Sequence, residues 1–308
     1  MSDPRIVVVG SSNTVMIIKL EHLPRPGETI LGGQFVTAAG GKGANQAVGA
    51  ARAGGNVTLI ACLGRDMFGD QALAGFVQDG INVDYVCRDK TSPSGVALIF
   101  VAQDGENSIA VASGANGKLT PAHVKKAKPA LAGASVLVMQ LETPLETVQA
   151  AAELAARAGV RVILNPAPAR PLPDELLQHV SILTPNESEA ELLTGIKVNS
   201  EAAAAKAAEK LLARGVQTVI LTLGARGALL AHEGRTQRVA GFKVKAVDTT
   251  AAGDVFNGAL AVALAESQPW AAAIRFANAA AALSVTRMGA QPSAPTRKEI
   301  EKFLGKSC

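Results

Sequence analysis

Ile6-Val7-Val8-Val9-Gly10 is a run of β-branched residues closed by glycine, the pattern of a strand buried on both faces of a parallel sheet. Outward from it the chain alternates: strand 57–62, helix 69–79, strand 136–139, helix 144–158 and strand 160–165. A short strand at Ile182-Leu183-Thr184, helix 201–213, strand 218–222, helix 270–285 and a last amphipathic helix from Arg297 follow. Strands alternating with helices of this length predict an α/β fold, a three-layer sandwich with a mainly parallel central sheet. Right-handed crossovers then place helices on both faces.

Two hairpins do not fit the parallel sheet. Segments 15–20 and 29–36 flank the turn Pro24-Arg25-Pro26-Gly27, and segments 95–101 and 108–112 flank Gln103-Asp104-Gly105-Glu106-Asn107. They predict a small second sheet, inserted at about 14–38 and 94–113 into a single domain spanning 1–308 and suited to covering a site. No internal repeat, low-complexity tract or charge block interrupts this plan.

Composition narrows the function. The 308 residues are 48% hydrophobic, enough for a large core. A net charge of +4 spread along the chain, with 3% aromatic residues, offers no footprint for nucleic acid. Cys62, Cys87 and Cys308 have no CxxC spacing, and His22, His123, His179 and His232 are scattered, so neither a disulfide framework nor a zinc site is expected. No apolar run reaches the roughly 20 residues of a membrane helix, and the first residues lack a basic-then-apolar leader; a reducing cytoplasm is the expected compartment.

Ligands of open α/β sheets lie outside the carboxyl ends of the strands. There the chain places Ser11-Ser12-Asn13, Gln140 and Glu142, Asn165-Pro166-Ala167-Pro168, and Asn186 with Glu189. Asn186 and Glu189, three apart at a helix start, share a face and could hold magnesium or its waters; an N-cap with a first-turn acid is the other reading. In Gly40-Gly41-Lys42-Gly43-Ala44-Asn45-Gln46 the glycines permit close approach to a ligand or tight helix packing, Lys42 supplies a charge, and Asn45 offers donor and acceptor to a hydroxyl. This is not a Walker loop, because Gly43 follows the lysine, and Gln46 spoils a GxGxxG fingerprint. A second Gly-rich turn, Thr222-Leu223-Gly224-Ala225-Arg226-Gly227, could take a nucleotide.

Asp248-Thr249-Thr250-Ala251-Ala252-Gly253-Asp254-Val255-Phe256-Asn257-Gly258 then leads into the apolar run 259–265. Small residues before a helix leave unpaired backbone N–H groups where the peptide dipoles favour an anion. Asp254 in the same turn can accept a proton from an alcohol while those N–H groups hold a phosphate. The pairing points to phosphoryl transfer to a hydroxyl; a plain first-turn acid beside a packing glycine is the alternative.

Taken together and in this order, 40–46, 186–189 and 248–258 make the sequence resemble the ribokinase family of carbohydrate kinases. Asn165-Pro166-Ala167-Pro168-Ala169-Arg170, the turn 222–227 and Gly289-Ala290-Gln291-Pro292-Ser293 extend the resemblance over nearly the whole chain. It implies a Rossmann-like domain with a β-sheet lid, and ATP-dependent phosphorylation of a pentose primary hydroxyl, D-ribose to ribose 5-phosphate. By the same resemblance Asp254 is the catalytic base and the backbone of Ala251, Ala252 and Gly253 the anion hole. Asn13, Gly41, Lys42, Asn45 and Glu142 hold the sugar. Asn186, Thr222, Gly224, Ala225, Gly227, Gly253 and Asn278 lie along the nucleotide, and Asn186 and Glu189 serve the magnesium network. Asp248, Thr250, Ser284, Arg287, Gly289 and Ser293 surround a monovalent cation, usually potassium. A homodimer paired through the lid is expected.

One position departs from the family. Two residues after Asn13, where ribokinases usually carry a sugar-gripping aspartate, stands Val15. A buried hydroxyl without a partner costs roughly 1–3 kcal/mol, about ten- to more than a hundredfold in binding. The expectation is weakened ribose affinity, or an acceptor lacking a hydroxyl there: deoxyribose, with fructose-type sugars and nucleosides as other acceptors. A non-catalytic sugar or nucleotide sensor could use the same fold. A nicotinamide-dependent dehydrogenase would share the alternation but lacks its glycine fingerprint.

Overall fold

The computed structural model describes residues 5–306, so Cys308 lies outside the described residues. In chain order it runs β1 (Arg5–Val9), β2 (Asn13–Leu20), β3 (Gln34–Gly40), α1 (Lys42–Arg52), β4 (Asn56–Gly64), α2 (Met67–Gln78), β5 (Asn82–Asp89), β6 (Gly95–Ala102), β7 (Asn107–Ala112), α3 (Pro121–Lys126), α4 (Lys128–Ala132) and β8 (Val136–Met139). It continues with α5 (Leu145–Arg157), β9 (Arg161–Leu164), α6 (Asp174–Leu177), β10 (Ile182–Leu183), α7 (Glu187–Thr194), α8 (Glu201–Leu212), β11 (Thr218–Thr222), β12 (Ala228–His232), β13 (Arg235–Val239), α9 (Ala252–Ala265), α10 (Trp270–Ser284) and α11 (Arg297–Lys306).

Nine strands form one sheet in the order β13-β12-β11-β10-β9-β8-β1-β4-β5, parallel except where β12 and β13 close one edge as an antiparallel hairpin. The alternation in β1 explains why both faces are covered. Ile6 and Val8 join a core with Ala47, Leu260 and Ala277 from α1, α9 and α10, whereas Val7 and Val9 join another with Leu131, Val148 and Leu211 from α4, α5 and α8. The result is the expected three-layer α/β sandwich. β1 lies between β8 and β4, so strand order reverses beside it, and the crevice at that reversal is where such sheets take their ligands.

The four remaining strands make a separate sheet, β3-β2-β6-β7, as the hairpin signals predicted. The β3 boundary moved, however. Gly32 and Gly33 have φ of 101° and 99°, which break an extended chain, so the strand begins at Gln34 and not at Thr29. Three main-sheet strands were not foreseen. β5 mixes polar and apolar residues, and β12 and β13 meet at a two-residue turn of Glu233 and Gly234, both at positive φ, where the familiar Asn-Gly signal is missing.

Candidate active site

α1 and α9 cross at glycines. A Cβ on Gly258 would stand 2.6 Å from Ala50 N and 2.7 Å from Gln46 O, and one on Gly49 3.3 Å from Val255 Cα. This close crossing brings the first turn of α1 against the first turn of α9. Asn45 Nδ2 donates to one oxygen of Asp254 at 2.8 Å, and Gln46 Nε2 to the other at 2.9 Å. Asp254 is 5% exposed. Burial pushes its pKa up, opposed by the Lys42 charge and by the Asn45 and Gln46 hydrogen bonds, with Glu142 adding to the rise. Its carboxyl group therefore titrates above the ordinary carboxylate range.

Around this acid the helix mouth is open. Ala251 takes the left-handed conformation, φ 60°, and the helical ladder starts with Val255 N–H on Ala251 O at 2.9 Å. Ala252 N–H makes a longer bond, 3.3 Å, to Thr249 O. Gly253 is exposed, and a Cβ built on it would meet nothing within 4 Å, so the first turn is open at this position.

The residues expected to hold the sugar converge on the same place. Glu142 accepts from Lys42 N–H at 2.9 Å and from the Ser11 hydroxyl, which ties the β8 end to the start of α1. Asn13 Oδ1 accepts from Asn116 Nδ2 at 2.7 Å, so its own amide donor is left for a ligand. Asn45 Oδ1 is buried with no partner among the described residues, a ready acceptor for a hydroxyl. Gly41 and Gly43 pack closely: added Cβ atoms would fall 2.6 Å from Asn13 N and 2.4 Å from Ser11 N, so these glycines press α1 against the end of β1.

The residues expected along the nucleotide gather around the ends of β11 and β13. Asn186 pairs with Thr222 in an isolated bridge, Gly227 (φ 96°) packs so tightly that a Cβ would meet Val239 O at 2.1 Å, and Asn278 Nδ2 braces Val239 O and Ala240 O at 3.3 and 3.2 Å. Gly224 (φ 58°) and Ala225 are exposed at the turn between them. Asn186 and Glu189 make a complete capping box, each side chain accepting from the other's backbone N–H at 2.8 Å. The capping alternative is thus realised, yet Glu189 is buried close enough to Asp254 and Lys42 to sense both charges, and burial raises its pKa.

A third set of expected site residues lies in the loops before α9 and after α10 and at the end of α10. Asp248 accepts from Thr250 N–H at 2.9 Å and Gly289 N–H at 2.8 Å, joining the loop before α9 to the loop after α10. Burial would raise its pKa, but the Thr250 and Gly289 hydrogen bonds outweigh that and lower it, so it stays ionised. Ser284 and Ser293 are buried nearby in sequence, their hydroxyls donating to Ala281 O and Ala290 O. The Arg287 guanidinium points instead to Glu299, at 2.6 Å.

No group of three or more His, Cys, Asp or Glu residues able to hold a metal occurs among the described residues, and none of their helices is long and apolar enough to cross a membrane. A cavity of about 550 Å³ at the opposite ends of the strands, lined by Arg161, His179 and Gln217, has no part in this arrangement. Sequence reading placed Gln140 at a ligand-facing strand end but missed Gln46, Asn116, Thr184 and Asn257 as members of the site's polar framework; the usable signal was a polar residue at a strand end or in a first helical turn.

A buried carboxylate in the first turn of a helix open at Gly253, with a polar cradle beside it, suits transfer of a phosphoryl group to an alcohol. Comparison with known proteins agrees. The pfkB family carbohydrate kinase model matches residues 3–297. The chain is 47% identical over 299 residues to a ribokinase of Haemophilus influenzae, covering 97% of this chain and 98% of that protein. It is 38% identical over 300 residues to a deoxyribokinase of Salmonella typhi, covering 97% and 98%. Among solved structures, Arabidopsis thaliana ribokinase complexed with ribose and ATP superposes with a TM-score of 0.93 at 36% identity, covering 98% of this chain and 99% of that one. With the match running over nearly its whole length, the chain belongs to the pfkB family of carbohydrate kinases.

Proposed function

We propose that the protein transfers the γ-phosphoryl group of ATP to the primary hydroxyl of a pentose, D-ribose to D-ribose 5-phosphate. The observation that carries this is Asp254, buried and held on both oxygens in the first turn of a helix that is open at Gly253. Asn13, Lys42, Asn45, Glu142 and the Gly41 backbone hold the sugar, and the rim from Asn186 through Thr222, Gly224, Ala225 and Gly227 to Asn278 lies along the nucleotide. Asp254 takes the hydroxyl proton, while the Ala251, Ala252 and Gly253 backbone meets the charge developing on the transferred group. The small sheet acts as a lid that excludes water, which would otherwise compete as acceptor.

Two ions fit. Magnesium neutralises charge on the ATP phosphates, and such ions are bound by one or two carboxylates together with the phosphates themselves. Glu189, buried beside Asp254 and Lys42, with Asn186 is the pair suited to that network. Asp248, Ser284 and Ser293, with backbone oxygens around Thr250, Arg287 and Gly289, offer the all-oxygen surroundings a potassium ion needs.

A second reading of the acceptor rests on Val15. It lies on the same face of β2 as Asn13, and its Cγ2 would be 2.5 Å from a Cβ on Gly40, next to the sugar-holding turn. An apolar side chain there suits a deoxypentose, and a deoxyribokinase is among the relatives. Both faces of the lid carry exposed apolar residues: Val36, Ile109 and Val111 on the side of Val15, Phe35 and Leu98 on the other. One face can cover substrate while the other packs on a second copy, which supports a lid-to-lid homodimer. Cys62 and Cys87 are free thiols, consistent with a reducing cytoplasm. Coupled ADP release with ribose, deoxyribose, hexoses and nucleosides, with and without potassium, tests the assignment; no ADP release with any of these acceptors would refute it.

A further inference from the structure

Beneath the carboxylate runs a chain of side-chain amides that no role assigned above requires. Gln140 Nε2 donates to Gln46 Oε1 at 2.6 Å. Gln46 Nε2 donates in turn to Asp254 Oδ1 at 2.9 Å and to Asn165 Oδ1 at 3.1 Å. Asn165 Nδ2 reaches Thr184 O at 3.3 Å, the Thr184 hydroxyl donates to Asn257 Oδ1 at 2.7 Å, and Asn257 Nδ2 donates to Gly253 O at 2.8 Å. Gln46 and Gln140 are fully buried, and Thr184 and Asn257 are 1% exposed, so none of them is an ordinary surface amide. The network joins the ends of β8, β9 and β10 to both helices and ends on the anion-hole backbone.

Its direction matters more than its extent. An amide has an oxygen end and a nitrogen end, and only the nitrogen end can face a carboxylate without repulsion. The Asp254 carboxylate and Asn165 Oδ1 therefore draw the Gln46 nitrogen toward them, and Gln140, by donating to Gln46 Oε1, holds the other end; the flipped amide would oppose nitrogen to nitrogen and oxygen to carboxylate. Leaving a buried Gln140 Oε1 without a partner among the described residues is the cost of that arrangement.

We propose that Gln46 is a positioning residue for Asp254, and that Gln140, by holding Gln46 Oε1, keeps the Gln46 nitrogen on the carboxylate. Each carboxylate oxygen has more than one acceptor direction, so the Asn45 and Gln46 donors fix the plane of the group and leave a direction free for the sugar hydroxyl. They also favour its ionised form in a site where burial opposes ionisation. The charged groups facing Asp254 are Lys42 from α1, Glu142 from the β8 end and Glu189 from α7, and none of them is altered by changing the two glutamines.

The inference rests on the kinase reading, so its test carries a readout independent of turnover. Gln46→Met keeps length without a donor, and Gln140→Met removes only the group that holds Gln46 Oε1. Steady-state kinetics should show kcat of Gln46→Met lowered about 10- to 100-fold with KM for ATP held, and the acid limb of kcat/KM moved up by about one pH unit. Gln140→Met should move the limb the same way by less. Carbon-13 NMR titration of the carboxyl signal missing from Asp254→Asn reads the same group without substrate, and its midpoint should rise in both variants. Folded variants with midpoint and acid limb equal to the unaltered protein would overturn the proposal. Should Gln46→Met not fold, Gln140→Met decides alone. A protein that titrates as expected but phosphorylates no sugar would contradict the kinase reading and leave the positioning of Asp254 standing.

Discussion

Asn45 donates its side-chain amide to the carboxylate of Asp254 at 2.8 Å, across 209 positions of sequence. The bond exists because Gly258 lets α9 lie directly on α1, and it ties the residue proposed to hold the sugar to the one proposed to take its proton.

Gly258→Ala should therefore be costly twice over. The added methyl meets α1 backbone atoms, Ala50 N and Gln46 O, which cannot rotate away. The helices must separate, at a cost of about 1–3 kcal/mol in stability. Because Asn45 and Gln46 move with α1, kcat should fall by more than the stability loss implies. Denaturant unfolding and steady-state kinetics on the same preparation check this; normal kcat with lowered stability would mean that the crossing does not position the base.

Val15→Asp should lower the KM for ribose about ten- to a hundredfold while leaving kcat near its starting value, because the new carboxylate binds sugar hydroxyls equally before and during transfer. Deoxyribose should gain less. An unchanged ribose KM would count against Val15 as the acceptor determinant.

The fold was readable where the pattern was strong. β1 and β8 showed themselves as apolar runs, and α5, α8 and α10 by composition, since each buries a continuous face. The β12–β13 hairpin was hidden because its turn uses Glu233 at positive φ, which no turn rule favours. In the site, Asp254, Lys42 and Asn45 were visible because their neighbours in sequence carry the chemistry. Gln140 was marked by its strand end but its bond to Gln46, 94 residues away, was not, and Asn116, whose partner Asn13 lies 103 residues away, was not marked at all; only the folded sheet brings these pairs together.

Glu299 offers a check on the surface electrostatics. Its hydrogen bond from Arg287, helped by Thr296, holds its pKa down at about 2 against an ordinary 4.5. A depressed carboxylate stabilises the fold above its unfolded pKa and loses that contribution as pH falls through the folded value. Glu299→Gln should therefore lower Tm at pH 7 by a small amount, since the pair is over a third exposed and screened, and the difference should vanish between about pH 4.5 and 2. A Tm difference unchanged by acid would contradict it.

Asp254 has the opposite sign. Its folded pKa is raised, so its contribution is full below the unfolded pKa and is lost as pH rises through the folded value. Asp254→Asn should thus gain Tm relative to the unaltered protein as pH increases from 4 to 8, by roughly 2 °C for each kcal/mol. A gain that does not grow with pH would argue that the carboxylate is not strained by burial.

The most direct measurement is ADP release by Asp254→Asn with saturating ribose, ATP, magnesium and potassium. The substitution removes the proton acceptor and nearly preserves shape, so kcat should fall roughly 10²–10⁴-fold or more while the protein stays folded. Turnover close to that of the unaltered protein would show that the hydroxyl proton leaves by another route, and the assignment of Asp254 as base would be wrong.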